Sequence, residues 1–289
     1  MKIWNTIKNA FTNEGKSKKI AWSLSLIAIL LLSLFTIRSC SSLGSSKKSY
    51  LIGRESSWYP IELGGKEKNL TAFTNDLLSL IASEHKVKLE WYETTTSGLV
   101  NGLDNGVYDF VLTTMRPNFV NKEKYDFSDL IYEFGPVLLV KQDSKITSLK
   151  EMQGQTIGLH YGFSWANNSQ NVPEINSYDL YFTTYRNITH ALDDLINDKI
   201  DGVIMQALPA YILTQGLYAG KIKVVTPPFS DEGLRVASLK SSNYGPIIEE
   251  INSSIEKMRA NGTYHSLIAK WNLIDPSTQY WHPSQGKSQ

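Results

Sequence analysis

Two hydroxyls and a guanidinium, Thr113, Thr114 and Arg116, follow directly on the apolar run Phe110-Val-Leu. Polar side chains placed where a buried strand leaves the core suit a small polar solute, one with a carboxylate among the candidates. In open α/β sheets ligands bind just beyond the carboxyl ends of strands, so this strand end is the first place to expect a site. A second cluster, Glu55, Trp58 and Pro60, lies on the Gly- and Pro-punctuated stretch from Arg54 to Gly65, which reads as a pocket wall. A third strand ends in His160-Tyr-Gly-Phe-Ser, and a helix starting near Ser164 would present free amides to an anion. No nucleophile stands paired with a base. His160 and Glu133 are isolated, so the chemistry expected is binding and not catalysis.

Those residues need a scaffold, and the hydrophobic pattern supplies one. Strands are expected at Tyr50-Leu-Ile-Gly and Val87 to Trp91, with helices over Thr71 to His85 and Gly98 to Gly106 between them and the strand before Thr113. That βαβ rhythm predicts a parallel α/β sheet. Gly135-Pro-Val-Leu-Leu-Val-Lys reads as a strand crossing to a second lobe, followed by a helix with Ser148 and Glu151 in a capping box. Strands at Thr156, Leu180 and Gly202 and helices at Thr189 to Asn197 and Ala207 to Gly216 repeat the rhythm. Lys223-Val-Val-Thr-Pro-Pro-Phe is halted by prolines and suggests a second crossing, leading to the strand from Leu234 and a helical region from Tyr244 to Trp271 broken at Asn261-Gly262. The expected organisation is 1–49 as cytoplasmic stub, apolar segment and Ser-rich tether, 50–134 with 230–272 as lobe 1, 135–229 as lobe 2, and 273–289 as a loose tail.

Composition narrows the function classes. The chain has 289 residues, enough for two lobes, and a formal net charge of +1, which argues against nucleic acid as a partner. One cysteine and five histidines without ligand-like spacing predict neither an internal disulfide nor a metal site, and no cofactor is expected. Lys16, Lys18 and Lys19 precede an apolar run from Ile20 to Ile37, a signal or anchor whose basic flank places the amino terminus in the cytoplasm and the bulk of the chain outside. Ile37-Arg38-Ser39-Cys40 resembles a bacterial lipobox apart from Arg38, so the chain is either a lipoprotein modified at Cys40 or is held by the uncleaved helix.

One ordered set of short motifs spans Tyr50 to Trp271: Gly53-x-Glu55-x-x-Trp58-x-Pro60, Leu99 to Leu103, Tyr108-Asp109, Tyr125-Asp126-Phe127-Ser128, Leu149-Lys-Glu-Met-Gln-Gly, Ile157-Gly, Asp201-Gly and Asn261-Gly-Thr-Tyr-His-Ser-Leu-Ile-Ala-Lys-Trp. It resembles the family 3 extracytoplasmic solute-binding proteins of ABC importers. The resemblance implies a type II periplasmic-binding-protein fold, α/β with two lobes, two hinge crossings and a solute held between the lobes for delivery to a membrane permease. It implies that Glu55 contacts a ligand side chain, that Trp58 covers the ligand with an indole face suited to an apolar or cationic group, that Thr113 and Thr114 receive its polar groups, and that Gly162-Phe163-Ser164 binds a carboxylate.

Three positions depart from the family. Asn121 stands where the family carries the arginine that clamps an amino acid's α-carboxylate, Gln206 where it carries the acid for the α-ammonium, and Thr96 where a second aromatic is expected, with Trp91 or Tyr92 as alternatives. The resemblance therefore implies an amino acid or derivative held in a non-standard pose, with Arg116 on the carboxylate and Glu55 on an amine, or a less charged solute met by Asn121, Gln206 and the threonines. The alternatives are a membrane-tethered ligand sensor on the same fold and, further off, a dehydratase-like enzyme.

Overall fold

The computed structural model describes residues 48–58, 61, 63–161 and 178–276. The apolar amino-terminal run, Cys40 and the Gly162-Phe163-Ser164 turn lie outside the described residues. Among the described residues no helix is long and apolar enough to cross a membrane.

The chain opens with β1 (Ser49–Glu55), α1 (Glu67–Glu84), β2 (Lys88–Thr94), α2 (Thr96–Asp104) and β3 (Phe110–Thr113), then α3 (Phe119–Lys124), β4 (Tyr125–Phe127) and β5 (Tyr132–Glu133). It crosses into β6 (Pro136–Lys141), a 3-10 turn (Leu149–Met152), β7 (Thr156–His160), β8 (Tyr181–Tyr185), α4 (Ile188–Ile196), β9 (Gly202–Gln206), α5 (Ala207–Gln215) and β10 (Ile222–Val224). It then returns through β11 (Gly233–Leu239) to α6 (Gly245–Ala260) and α7 (Thr263–Lys270).

Two sheets result, one per lobe: β2-β1-β3-β11-β4 with β5 also on β11, and β10-β6-β9-β7-β8. Strands β1, β2 and β3 are parallel, as their helical crossovers require, but β11 runs antiparallel to both β3 and β4. The wholly parallel sheet that the rhythm predicts is thus corrected to a mixed one. The reason is connectivity: β11 arrives from the other lobe and not through a helix packed on its own sheet. The second sheet is mixed in the same way, with β6 antiparallel to β9 and β10 and β7 parallel to its neighbours.

Helix α1 buries Leu70, Phe73, Leu77, Leu78 and Ile81 at helical spacing against the first sheet, where Ile248, Ile251 and Ile255 of α6 and Tyr264 and Leu267 of α7 complete the core. Past the expected end of the packed chain, Leu273 is buried in that core, Ile274 O accepts from Tyr132 Oη at 2.6 Å, and Asp275 is buried facing Arg259 and His265. Residues 273–275 are therefore pinned, and the loose tail expected from 273 does not begin there. The capping box is also corrected: Ser148 makes no side-chain cap bond, and the Glu151 carboxylate instead accepts from Thr147 N at 2.6 Å at the start of a single 3-10 turn.

The two crossings lie side by side. Phe134 N donates to Glu232 O at 2.8 Å and Phe229 N to Pro136 O at 2.9 Å. Between them sits Gly135, where a Cβ would meet Ser230 O at 2.6 Å and Pro228 Cβ at 2.8 Å, so only a residue without a side chain lets the crossing strands approach this closely.

Candidate functional site

Because β1 and β3 are parallel neighbours, Glu55 and Thr113 close their two strands at one edge of the first sheet. A cleft of about 200 Å³ opens there, and Glu55, Trp58, Thr113 and Thr114 all line it. These are residues from two sequence regions some 60 positions apart, brought together by the crossover through α1 and α2.

The walls are ordered by specific bonds. Trp58 is half-buried; its Nε1 donates to Thr71 Oγ1 of α1 at 3.1 Å, and its ring meets Phe134 of the first crossing edge-on at 6.2 Å. The indole therefore links the pocket wall to the hinge. Glu55 is also half-buried and its Oε2 accepts from Thr96 Oγ1 at 2.8 Å, which leaves Oε1 for a donor in the cleft. Thr113 is buried, its Oγ1 accepting from Met115 N at 3.0 Å, so the turn after β3 is folded back on its own hydroxyl. Thr114 is half-buried beside it.

Several lining residues lie outside the sequence-based set. Arg54 lines the cleft with its Nε and Nη2 on Glu93 Oε1 at 3.2 and 2.6 Å, its Nη1 on Asn75 Oδ1 at 2.7 Å and its guanidinium 5.0 Å from the Trp91 ring centre. Thr71, Thr74 and Thr96 add hydroxyls. Trp91 thus underlies Arg54, and Tyr92 packs at 5.5 Å on Tyr108, so neither aromatic is among the described lining residues; Thr96 itself is. Helical spacing from Thr71 to Thr74, one turn of α1 facing the wall that carries Trp58, is the signal that would have found the threonines. Nothing local to Arg54 marks it as lining, since its position depends on β2.

The other expected residues fall elsewhere. Arg116 Nη2 donates to Asp231 Oδ1 at 2.9 Å and its Nη1 lies 3.6 Å from Glu232 Oε1, so the guanidinium ties the turn after β3 to the return crossing. Asn121 lies in α3, where its Nδ2 donates to Arg116 O at 2.7 Å and its backbone N to Asn118 Oδ1 at 2.8 Å. Gln206 ends β9 opposite Pro136, at the first crossing. None of the three lines the cleft. Ser164 lies outside the described residues.

The hinge is electrostatically loaded. Burial raises the pKa of Glu232, partly offset by Arg116, and burial followed by the charge of Asp275 raises that of Glu133. Among the described residues no group of His, Cys, Asp and Glu has the arrangement to hold a metal ion.

The site's surroundings have known counterparts. The profile of the bacterial extracellular solute-binding proteins, family 3, matches residues 50–274. Arginine-binding extracellular protein ArtP of Bacillus subtilis is 25% identical over 255 residues, covering 86% of this chain and 97% of that protein. ABC transporter glutamine-binding protein GlnH of the same organism is 27% identical over 212 residues, covering 72% of this chain and 75% of that protein. Among solved structures, the L-cystine solute receptor of Neisseria gonorrhoeae in its unliganded open conformation superposes with a TM-score of 0.62 at 17% identity, covering 81% of this chain and 96% of that one; at this identity the likeness speaks to the fold, a type II periplasmic binding protein. With a match that runs from the first residue of the β1 core to the last pinned residues after α7, the chain belongs to the bacterial extracellular solute-binding proteins, family 3.

Proposed function

We propose that this protein captures an amino acid or amino-acid derivative in the cleft at the ends of β1 and β3 and hands it to an ABC importer permease, as a binder and not a catalyst. The observation that carries the reading is the convergence of Glu55, Trp58, Thr113 and Thr114 on one cleft. A carboxylate with a free oxygen beside an indole suits an ammonium or guanidinium group, and hydroxyls suit the polar remainder of the solute.

The pose differs from the one the family resemblance implies. The Asn121 amide donates to Arg116 O, and the Arg116 guanidinium is engaged with Asp231 and Glu232, so the amide donor and the cation are both used outside the cleft. The carboxylate is then received by the threonine hydroxyls and by the second lobe, with Ser164 its proposed partner there. Arg116 acts from outside, holding the turn that carries Thr113 and Thr114 against the return crossing. The two lobes follow the split 50–134 with 230–272 and 135–229, with residues 273–275 added to the first, and the apolar segment from Ile20 to Ile37, or a lipid on Cys40, tethers them to the outer face of the membrane.

Mass spectrometry of solute retained through native purification tests the assignment. The expected result is a single amino acid or close derivative released on denaturation; a retained solute with no amino or carboxylate group would remove it.

A further inference from the structure

We propose that Ile274 and helix α5 form a packed seat that sets the angle between the two lobes, which makes Ile274 a positioning residue for closure of the cleft. The seat begins with the way α7 ends. Asn272 adopts a φ of 47°, a left-handed turn that asparagine tolerates. Its backbone N donates to Ala269 O at 3.0 Å and Leu273 N donates to Ile268 O at 2.9 Å, the paired bonds that stop a helix and turn the chain back. Leu273 is thereby buried in the core of the first lobe, and the carbonyl of Ile274 is fixed by Tyr132 Oη at 2.6 Å, three residues before Gly135 in the first crossing. Asp275, buried against Arg259 and His265, anchors the segment from its other side.

Helix α5 meets this segment from the other lobe. Its first residue, Ala207, donates its backbone N to Gly135 O at 3.2 Å, so the helix starts on the first crossing. It is apolar on two faces: Ala207, Ala210 and Tyr211 pack in the core of the second lobe, whereas Leu208 is buried in that of the first and Ile212, one turn on, packs against it. Ile212 Cδ1 lies 2.8 Å from where a Cβ on Gly64 would stand, so α5 also rests on the stretch that carries Glu55 and Trp58. Ile274 packs against both cores. Burial, and after it the charge of Asp275, raise the Tyr211 pKa to about 12, so the anchored carboxylate is felt on α5. Two extended crossings define a hinge axis but leave the angle about it soft. A close-packed contact that spans the axis resists rotation, because packed interiors shift between discrete arrangements and do not deform continuously. The seat is read from packing alone and stands whichever solute the cleft takes.

Pulsed electron resonance on the full chain in detergent, freed of retained solute, tests the proposal. Spin labels are placed through Asn101→Cys in the first lobe and Lys150→Cys in the second, both exposed, in a Cys40→Ser background. Ile274→Ala and Ile212→Ala should each shift or broaden the distance distribution by about 5 Å, the scale of a hinge rotation. Leu78→Ala, in the same first core but beside the amino ends of β1 and β2, should lower Tm and leave the distribution unchanged. If Ile274→Ala does not fold, Ile274→Val is the readout at that position and should give a smaller change of the same kind. A wild-type distribution in the folded Ile274 variant would overturn the assignment, whatever Ile212→Ala does. An equal change in Leu78→Ala would also overturn it, since the lobes would then be answering to lost stability and not to the seat.

Discussion

Replacing Trp58 with alanine should damage the protein twice, and the two injuries can be measured separately. The indole nitrogen loses its bond to Thr71 Oγ1, worth about 1 kcal/mol for a neutral pair. The edge-on contact with Phe134 is worth about 1 kcal/mol more. A half-buried indole also withdraws on the order of 100 Å² of apolar surface from water, about 2.5 kcal/mol at 25 cal/mol per Å². These terms overlap, so a net loss of roughly 2 to 3 kcal/mol in unfolding free energy is expected for Trp58→Ala. If the indole also covers the solute, binding should weaken by a further 1 to 2 kcal/mol, roughly 5- to 30-fold in Kd. Trp58→Phe keeps a ring over the cleft and against Phe134 but has no N–H; it should lose about 1 kcal/mol of stability and stay within about threefold of wild-type affinity. Denaturant unfolding gives the first quantity and isothermal calorimetry with the retained solute gives the second. A Trp58→Ala protein that unfolds early yet binds with unchanged Kd would refute the reasoning, because the indole would then be a strut of the wall and not a contact of the solute.

Two further outcomes follow from the hinge. Gly135→Ala places a methyl against Ser230 O, which is backbone and cannot rotate away, so a loss of about 1 to 3 kcal/mol in stability is expected by chemical denaturation together with weaker solute binding; unchanged values in both would show that the crossings are not in obligatory contact. Glu133→Gln tests the buried charge: the Glu133 pKa is raised above its unfolded value near 4.5, so the native state binds its proton more readily than the unfolded chain, and the stability tied to that proton is fully present below pH 4.5 and lost as pH rises through the folded pKa. The variant should therefore unfold at a higher temperature than wild type at pH 7.5 and lose that advantage by about pH 4; an advantage independent of pH would point to packing instead of charge.

How much of this was readable in the sequence depends on how far apart the interacting residues lie. Helix α1 and strands β1 and β3 were legible because their apolar periodicity is local, and Gly135-Pro136 marked a crossing because glycine and proline constrain the backbone wherever they occur. Helix α3 was not legible. It has no buried residue, with Phe119 81% and Val120 72% exposed, and its one signal is Asn118 capping Asn121 N, a pattern too short to stand out. The antiparallel entry of β11 was hidden for a different reason, since strand direction follows from the path through the other lobe. At the site, Glu55, Trp58, Thr113 and Thr114 converge because each ends or follows a strand, and strand ends share an edge. Arg116 could not be placed from its neighbours, because its partners Asp231 and Glu232 lie 115 and 116 positions away and reach it only through the return crossing.

The most direct test of a solute cleft at β1 and β3 is calorimetric titration of the purified protein with the twenty amino acids. Saturable binding of at least one, at one site per chain and weakened at least fivefold by Trp58→Ala, is the result the geometry predicts. Silence with every amino acid, in protein shown to be free of retained solute, would contradict it.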